Sequence, residues 1–183
     1  FSDLLEHYNG DRVAAIQAKA RTYSKSFKEW FGESKVVDEN GEPLVVYHGT
    51  NYTISDFNYK DDREFNPGFF FTSDKNYAES VAEAKSGNII MPVFLKITNP
   101  IYTETDLVSK DIESIYIYEG KRNSDGIIGH DKYTGEFARS TGNEYLVTRP
   151  NQIKSIDNQG TFSTQDNNIY LADSNSENIS QLE

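Results

Sequence analysis

The 183-residue chain contains no cysteine. Disulfides and thiolate metal sites are thereby excluded, and the usage is compatible with a reducing compartment. Long apolar runs are missing too. A membrane-crossing helix needs about 18 or more apolar residues in sequence, and none occurs, so no membrane partner is expected and the location reads as cytoplasmic. The opening Phe1-Ser2-Asp3-Leu4-Leu5-Glu6 has neither a basic leader nor an initiator methionine, and reads as part of a longer polypeptide rather than as a signal peptide. Positive charge is scarce: 18 lysines and arginines stand against 29 acids, for a net charge of −11. Nucleic-acid backbones demand a basic surface, so this balance argues against bulk duplex binding. It leaves room for a nucleotide-sized ligand or a local patch such as Lys121-Arg122. The three histidines, His7, His48 and His130, are too scattered to suggest a metal site, and none is expected.

Aromatic residues are plentiful, with 12 tyrosines and 11 phenylalanines. Large rings bury much area each, so a single domain of this length can build a substantial core. Residues 1–32 read as three helices. The second carries Val13, Ile16, Gln17, Ala20 and Tyr23 as its apolar stripe. The third carries Phe27, Trp30 and Phe31 on one face that packs on the core, and stops at Gly32. A turn over 38–43 leads into a strand over 44–50. A long loop spans 51–67, and a second strand covers 68–72. A helix follows, capped by Ser73 or Asp74, and further strands cover 89–97, 125–129, 144–148 and 153–156. Asn99-Pro100 reads as a strand stop, and order is expected to fade from Asp157. Many short strands with a few helices predict an α+β domain of two small packed sheets. The expected division is a helical accessory or linker segment over 1–33, a catalytic domain over 34–160 and a partly disordered tail over 161–183.

Three blocks carry chemistry. Tyr47-His48-Gly49-Thr50 ends a strand on an imidazole, a side-chain-free backbone and a hydroxyl. Gly68-Phe69-Phe70-Phe71-Thr72 is an aromatic strand followed by Tyr77 on a helix. Asn143-Glu144-Tyr145-Leu146-Val147 opens a strand on a carboxylate. In this order they resemble the His-Tyr-Glu class of the ADP-ribosyltransferase fold, which includes diphtheria-type toxins and poly(ADP-ribose) polymerases. Over residues 26–172 the chain is most similar to the ADP-ribosyltransferase domain of phage and mobile-element polyvalent proteins. That resemblance rests on Phe27-Lys28-Glu29-Trp30-Phe31-Gly32, Pro92-Val93-Phe94-Leu95 and Pro150-Asn151-Gln152-Ile153 besides the three blocks.

The resemblance implies an ADP-ribosyltransferase-like fold with NAD, as substrate, in a cleft between two mainly antiparallel sheets. It also implies one module of a larger, toxin-like or phage-delivered polypeptide. Breaking the nicotinamide–ribose bond passes through an oxocarbenium-like state that a carboxylate stabilises. Glu144 takes that role and orients the acceptor. His48 positions NAD, with Thr50 beside it. Gly49 leaves its backbone open to the nicotinamide carboxamide, since no Cβ stands in the way. Tyr77 and either Phe70 or Phe71 stack on the ring; strand alternation puts Phe69 and Phe71 on one side and Phe70 on the other. Phe70 occupies the place of the family's first tyrosine, and Tyr77 comes about one helical turn earlier than in the polymerases. The 51–67 loop corresponds to the donor loop. The 131–143 loop corresponds to the acceptor loop, with Tyr133, Phe137 and Arg139 as acceptor contacts. Gly142, two residues before Glu144, breaks the Glu-x-Glu pattern of arginine-modifying enzymes. The activity implied is mono-ADP-ribosyl transfer to a macromolecule, a host protein ahead of a nucleic acid. NAD hydrolysis and an inactive NAD-binding module are the alternatives.

Overall fold

The computed structural model describes residues 1–58, 68–104, 107, 124–130 and 142–170. Three helices come first: α1 (Ser2–His7), α2 (Arg12–Arg21) and α3 (Lys25–Phe31). Strands β1 (Val46–Thr50) and β2 (Phe69–Thr72) follow, then α4 (Lys75–Ala84) and β3 (Ile89–Leu95). The chain continues through β4 (Pro100–Thr103), β5 (Gly126–His130) and β6 (Asn143–Val147). A 3-10 turn (Pro150–Gln152) leads into β7 (Ile153–Ser155). Among the described residues no helix is long and apolar enough to cross a membrane.

The α+β class stands, and the strands form one hydrogen-bonded sheet in the order β4-β5-β6-β2-β1-β3-β7. The two expected sheets are halves of it. β1 pairs with β3 through five residue pairs, and β2 with β6 through four, but β1 meets β2 at Tyr47↔Thr72 alone. The halves are thus joined at one pair and part beyond it. Pro100, read as a strand stop, instead opens β4, which runs parallel to β5 at the sheet edge. Proline is tolerated as the first residue of an edge strand, where no ladder donor is required of it.

One face of the sheet is covered by helices. Phe27 and Trp30 are each 1% exposed, packed with Tyr47, Phe94 and Ile156, and the Trp30 indole N–H donates to the Asn151 carbonyl at 2.9 Å. Ser24 caps α3 by accepting from the Phe27 N–H. Helix α2 does not present the expected stripe. Val13, Ile16 and Tyr23 lie exposed, while Ala15 and Ala18 are buried. Small side chains let this helix seat closely, and its larger residues turn outward. Helix α1 is pinned at its end by the Tyr8 hydroxyl donating to Asp157 at 2.6 Å and by an ion pair of Glu6 with Lys75.

The opposite face holds Val46, Phe71, Met91, Val93 and Tyr145, covered by Phe57 and Ile169. Order does not fade at Asp157. Phe162 is buried on the helix face and Ile169 on the other, so the chain wraps the β7 edge between them. The Ser155 N–H, which has no strand beside it, donates to the Ile169 carbonyl at 3.1 Å. Covering an edge in this way satisfies backbone groups that would otherwise invite pairing with another chain.

Candidate active site

The site is built where β1 and β2 separate. Pro92 has no N–H, and its carbonyl accepts from Ile156 on the far side of β3. The facing pair Tyr47↔Pro92 is therefore a non-hydrogen-bonded one. Tyr47 must direct its backbone groups toward β2, and Gly49, two residues on, does the same. At Gly49 the β1–β2 ladder has already ended, so its polar backbone faces the parting.

His48 closes the root of this parting. Its Nδ1 lies 2.8 Å from the Phe70 carbonyl. A carbonyl only accepts, so Nδ1 carries the proton. Burial pushes the imidazole pKa from 6.5 down to about 4; the Phe70 hydrogen bond opposes the shift and the Lys85 charge adds to it. The ring is thus neutral at pH 7, with a bare acceptor at Nε2. Two rings hold it: Phe57 edge-on at 5.3 Å and Phe71 tilted at 5.4 Å between centroids.

The low pKa has a consequence for stability. Between about 4 and 6.5 the unfolded ring binds a proton that the folded ring refuses. Stability is therefore complete above about pH 6.5 and is lost progressively as pH falls toward 4. In an NMR titration the His48 ring protons should stay unshifted until pH falls well below 6. His48→Gln should flatten the pH dependence of unfolding in this window. A His48 midpoint near 6.5 would contradict the buried, neutral ring.

Glu144 is on the other half-sheet. It is 5% exposed, and its Oε2 accepts from the Leu107 N–H at 2.8 Å. Its cross-strand neighbour is Thr72, which is itself opposite Tyr47. Two strand spacings of about 4.8 Å thus separate Glu144 from β1, roughly 10 Å at the backbone. The start of β6 is held by Ser73: its N–H donates to the Asn143 carbonyl at 2.9 Å, and its Oγ accepts from the Asn143 N–H at 2.8 Å. A Cβ on Gly142 would lie 2.3 Å from that Oγ. The position two residues before Glu144 is therefore closed to any side chain unless Ser73 gives way.

The aromatic strand divides as the pleat dictates. Phe71 is 3% exposed in the core with Phe57 and His48, and Phe69 packs against the same cluster. Phe70 is half-buried on the opposite face, with Leu146 and Ile127, and that face also carries Thr72 and Glu144. Tyr77 is half-buried in the first turn of α4, whose N-cap is Asp74, accepting from the Tyr77 N–H at 3.2 Å. Thr50 is buried at the end of β1.

Gly49 has a structural reason to be glycine. A Cβ there would stand 1.9 Å from the Ala78 carbonyl oxygen and 2.9 Å from the Ala82 nitrogen. The missing side chain makes room for α4. The Gly49 carbonyl, facing the parting, accepts from Lys85 Nζ at 2.8 Å.

Sequence reasoning missed Phe57, Lys85 and Leu107. Phe57 lies in the 51–67 stretch, read as the donor loop with no residue of it singled out. The other two reach the site only through tertiary packing. The acceptor-loop residues Tyr133, Phe137 and Arg139 lie outside the described residues, as does the 59–67 part of the donor loop.

The family described as ADP-ribosyltransferase in polyvalent proteins matches residues 38–162, more than half of the chain. The chain belongs to this family. The matched stretch begins at the turn before β1 and ends just past β7, so it contains the parting, His48, the aromatic strand and Glu144. No curated protein matches the chain. Membership makes this an ADP-ribosyltransferase domain, of a family that uses NAD as its substrate and occurs as a module in larger polyvalent proteins.

Proposed function

We propose that this domain is a mono-ADP-ribosyltransferase that cleaves NAD at the nicotinamide–ribose bond and passes ADP-ribose to a macromolecular acceptor, a host protein ahead of a nucleic acid. The observation that supports it most is the pairing of a neutral imidazole at the root of the parting with a buried carboxylate two strands away. The imidazole lies on the Phe71 face and the carboxylate on the Phe70 face, so the ligand of this proposal spans the parting from one to the other.

In this reading His48 Nε2 accepts from a ribose hydroxyl and the Gly49 backbone meets the carboxamide. Phe70 supplies the stacking face, because Phe71 is consumed by the core, and Tyr77 supplies the second. As the C–N bond breaks, its electron pair leaves with neutral nicotinamide and positive charge develops on the ribose. Glu144 stabilises that charge, and the acceptor nucleophile then bonds to the anomeric carbon while giving up its proton. Gly142 disfavours an arginine acceptor, which elsewhere in the fold is served by a second glutamate at that position.

The test is NAD labelled in its adenylate half, incubated with the protein and a bacterial lysate, with nicotinamide release followed in parallel. Labelled protein together with released nicotinamide supports transfer. Nicotinamide without a labelled macromolecule makes the chain an NAD glycohydrolase. Calorimetric binding without release makes it an inactive NAD-binding module, and absence of binding sinks the proposal altogether.

A further inference from the structure

The ring that backs His48 is held by a part of the chain outside the family match. Phe57 is 2% exposed and touches His48, Phe69 and Phe71. The residues just before it are fastened to the stretch that wraps the β7 edge. The Ile169 N–H donates to the Ser55 carbonyl at 2.9 Å, and Asp56 bridges Asn168 in antiparallel fashion. That stretch begins beyond residue 162, where the family match ends.

What holds the stretch is buried and polar. Lys154 is 1% exposed, yet its ammonium donates to two main-chain carbonyls, of Asp166 at 2.7 Å and of Asn168 at 3.2 Å. Asn158, fully buried, donates from Nδ2 to the Ile169 carbonyl at 2.9 Å. Burying a lysine is costly unless its donors are satisfied, and here the satisfaction comes from the backbone of one short segment. Burial lowers the Lys154 pKa, while the charges of Asp166 and Asp56 act to raise it.

We propose that residues 163–170 form a strap, clamped by Lys154, that positions the His48 ring through Ser55, Asp56 and Phe57. Three constraints set the plane of that ring: the Nδ1 hydrogen bond to the Phe70 carbonyl, the tilted contact with Phe71 and the edge contact with Phe57. The hydrogen bond alone leaves the ring free to swing about its own axis. Phe71, fixed in β2, and Phe57, on a loop, stop the swing from two sides, and the strap holds Phe57 in place. Lys154 is thus a positioning residue at one remove from any ligand. The functional meaning of the strap rests on the reading of His48 as an NAD contact; its mechanical coupling to His48 does not.

The experiment is Lys154→Met in the full chain, which removes the donors while keeping an unbranched buried side chain. Amide exchange at residues 55–57 should quicken about tenfold, selectively, together with that at Ile169. The His48 ring protons should move in the NMR spectrum. The KM for NAD should rise about tenfold with kcat changed less than about twofold. Phe57→Leu should reproduce the His48 and KM changes while leaving Ile169 protected, which orders the chain of contacts. Faster exchange at Ile169 with residues 55–57 and the His48 signals unmoved would overturn the proposal. A uniform loss of protection over the whole molecule would do so too. If the unaltered protein neither binds nor turns over NAD, the proposed function fails, while the exchange and ring-proton arms still decide the strap.

Discussion

Glu144→Gln should lower the rate of nicotinamide release about 10²- to 10³-fold while NAD affinity stays within a few-fold. The expectation follows from what the substitution keeps and what it removes. The glutamine carbonyl can still accept from the Leu107 N–H, so the buried hydrogen bond at 2.8 Å survives and the fold with it. The negative charge is lost, and with it, on the proposed function, the attraction for positive charge developing on the ribose. A loss of kcat with little change in binding is the signature of an interaction made in the transition state. Unchanged turnover would place the chemistry elsewhere. A protein that no longer unfolds cooperatively would mean that the charge, not the hydrogen bond, holds Leu107.

Gly49→Ala should destabilise the domain by about 3 kcal/mol or more, because the clash is of backbone with a new Cβ and not with a movable side chain. The Ala78 carbonyl would have to retreat from 1.9 Å, and α4 can do so only by shifting on the sheet as a body. A melting temperature lower by roughly 10 °C is the expected readout. The Lys85 hydrogen bond to the Gly49 carbonyl would be strained by the same shift, since Lys85 caps the C-terminal end of α4. A variant as stable as the parent would mean that α4 seats loosely on β1.

The family of this domain was legible because each of the blocks that carry the resemblance is contiguous. His48-Gly49-Thr50, the phenylalanine strand and Asn143-Glu144-Tyr145 are local patterns, and the strands that carry them were read in place. Less legible was whatever depends on close approach between distant segments. The α2 stripe misled because Ala15 and Ala18 bury more readily than the larger residues beside them. Pro100 was taken for punctuation, although an edge position made it the start of a strand. The stretch after Asp157 looked like a polar tail. Its serines, asparagines and glutamines are partly spent on turns, as where Asn158 Oδ1 accepts from the N–H groups of Gly160 and Phe162. Phe57 carried no periodic signal at all, since a loop residue gains its meaning only from the rings it meets.

The single pair Tyr47↔Thr72 also makes the parting an interrupted peptide ladder. A strand whose neighbour has been withdrawn offers one N–H and one C=O at peptide spacing. A primary carboxamide presents the complementary donor and acceptor, so a nicotinamide entering beside Gly49 would be received as though it were the missing residue. The carbonyl there has a second lone pair beyond the one that meets Lys85. Recognition of this kind depends on main-chain atoms, which substitution leaves in place. On the proposed function, a seat of that kind would tolerate a phenylalanine at Phe70, because the amide would be held by the main chain.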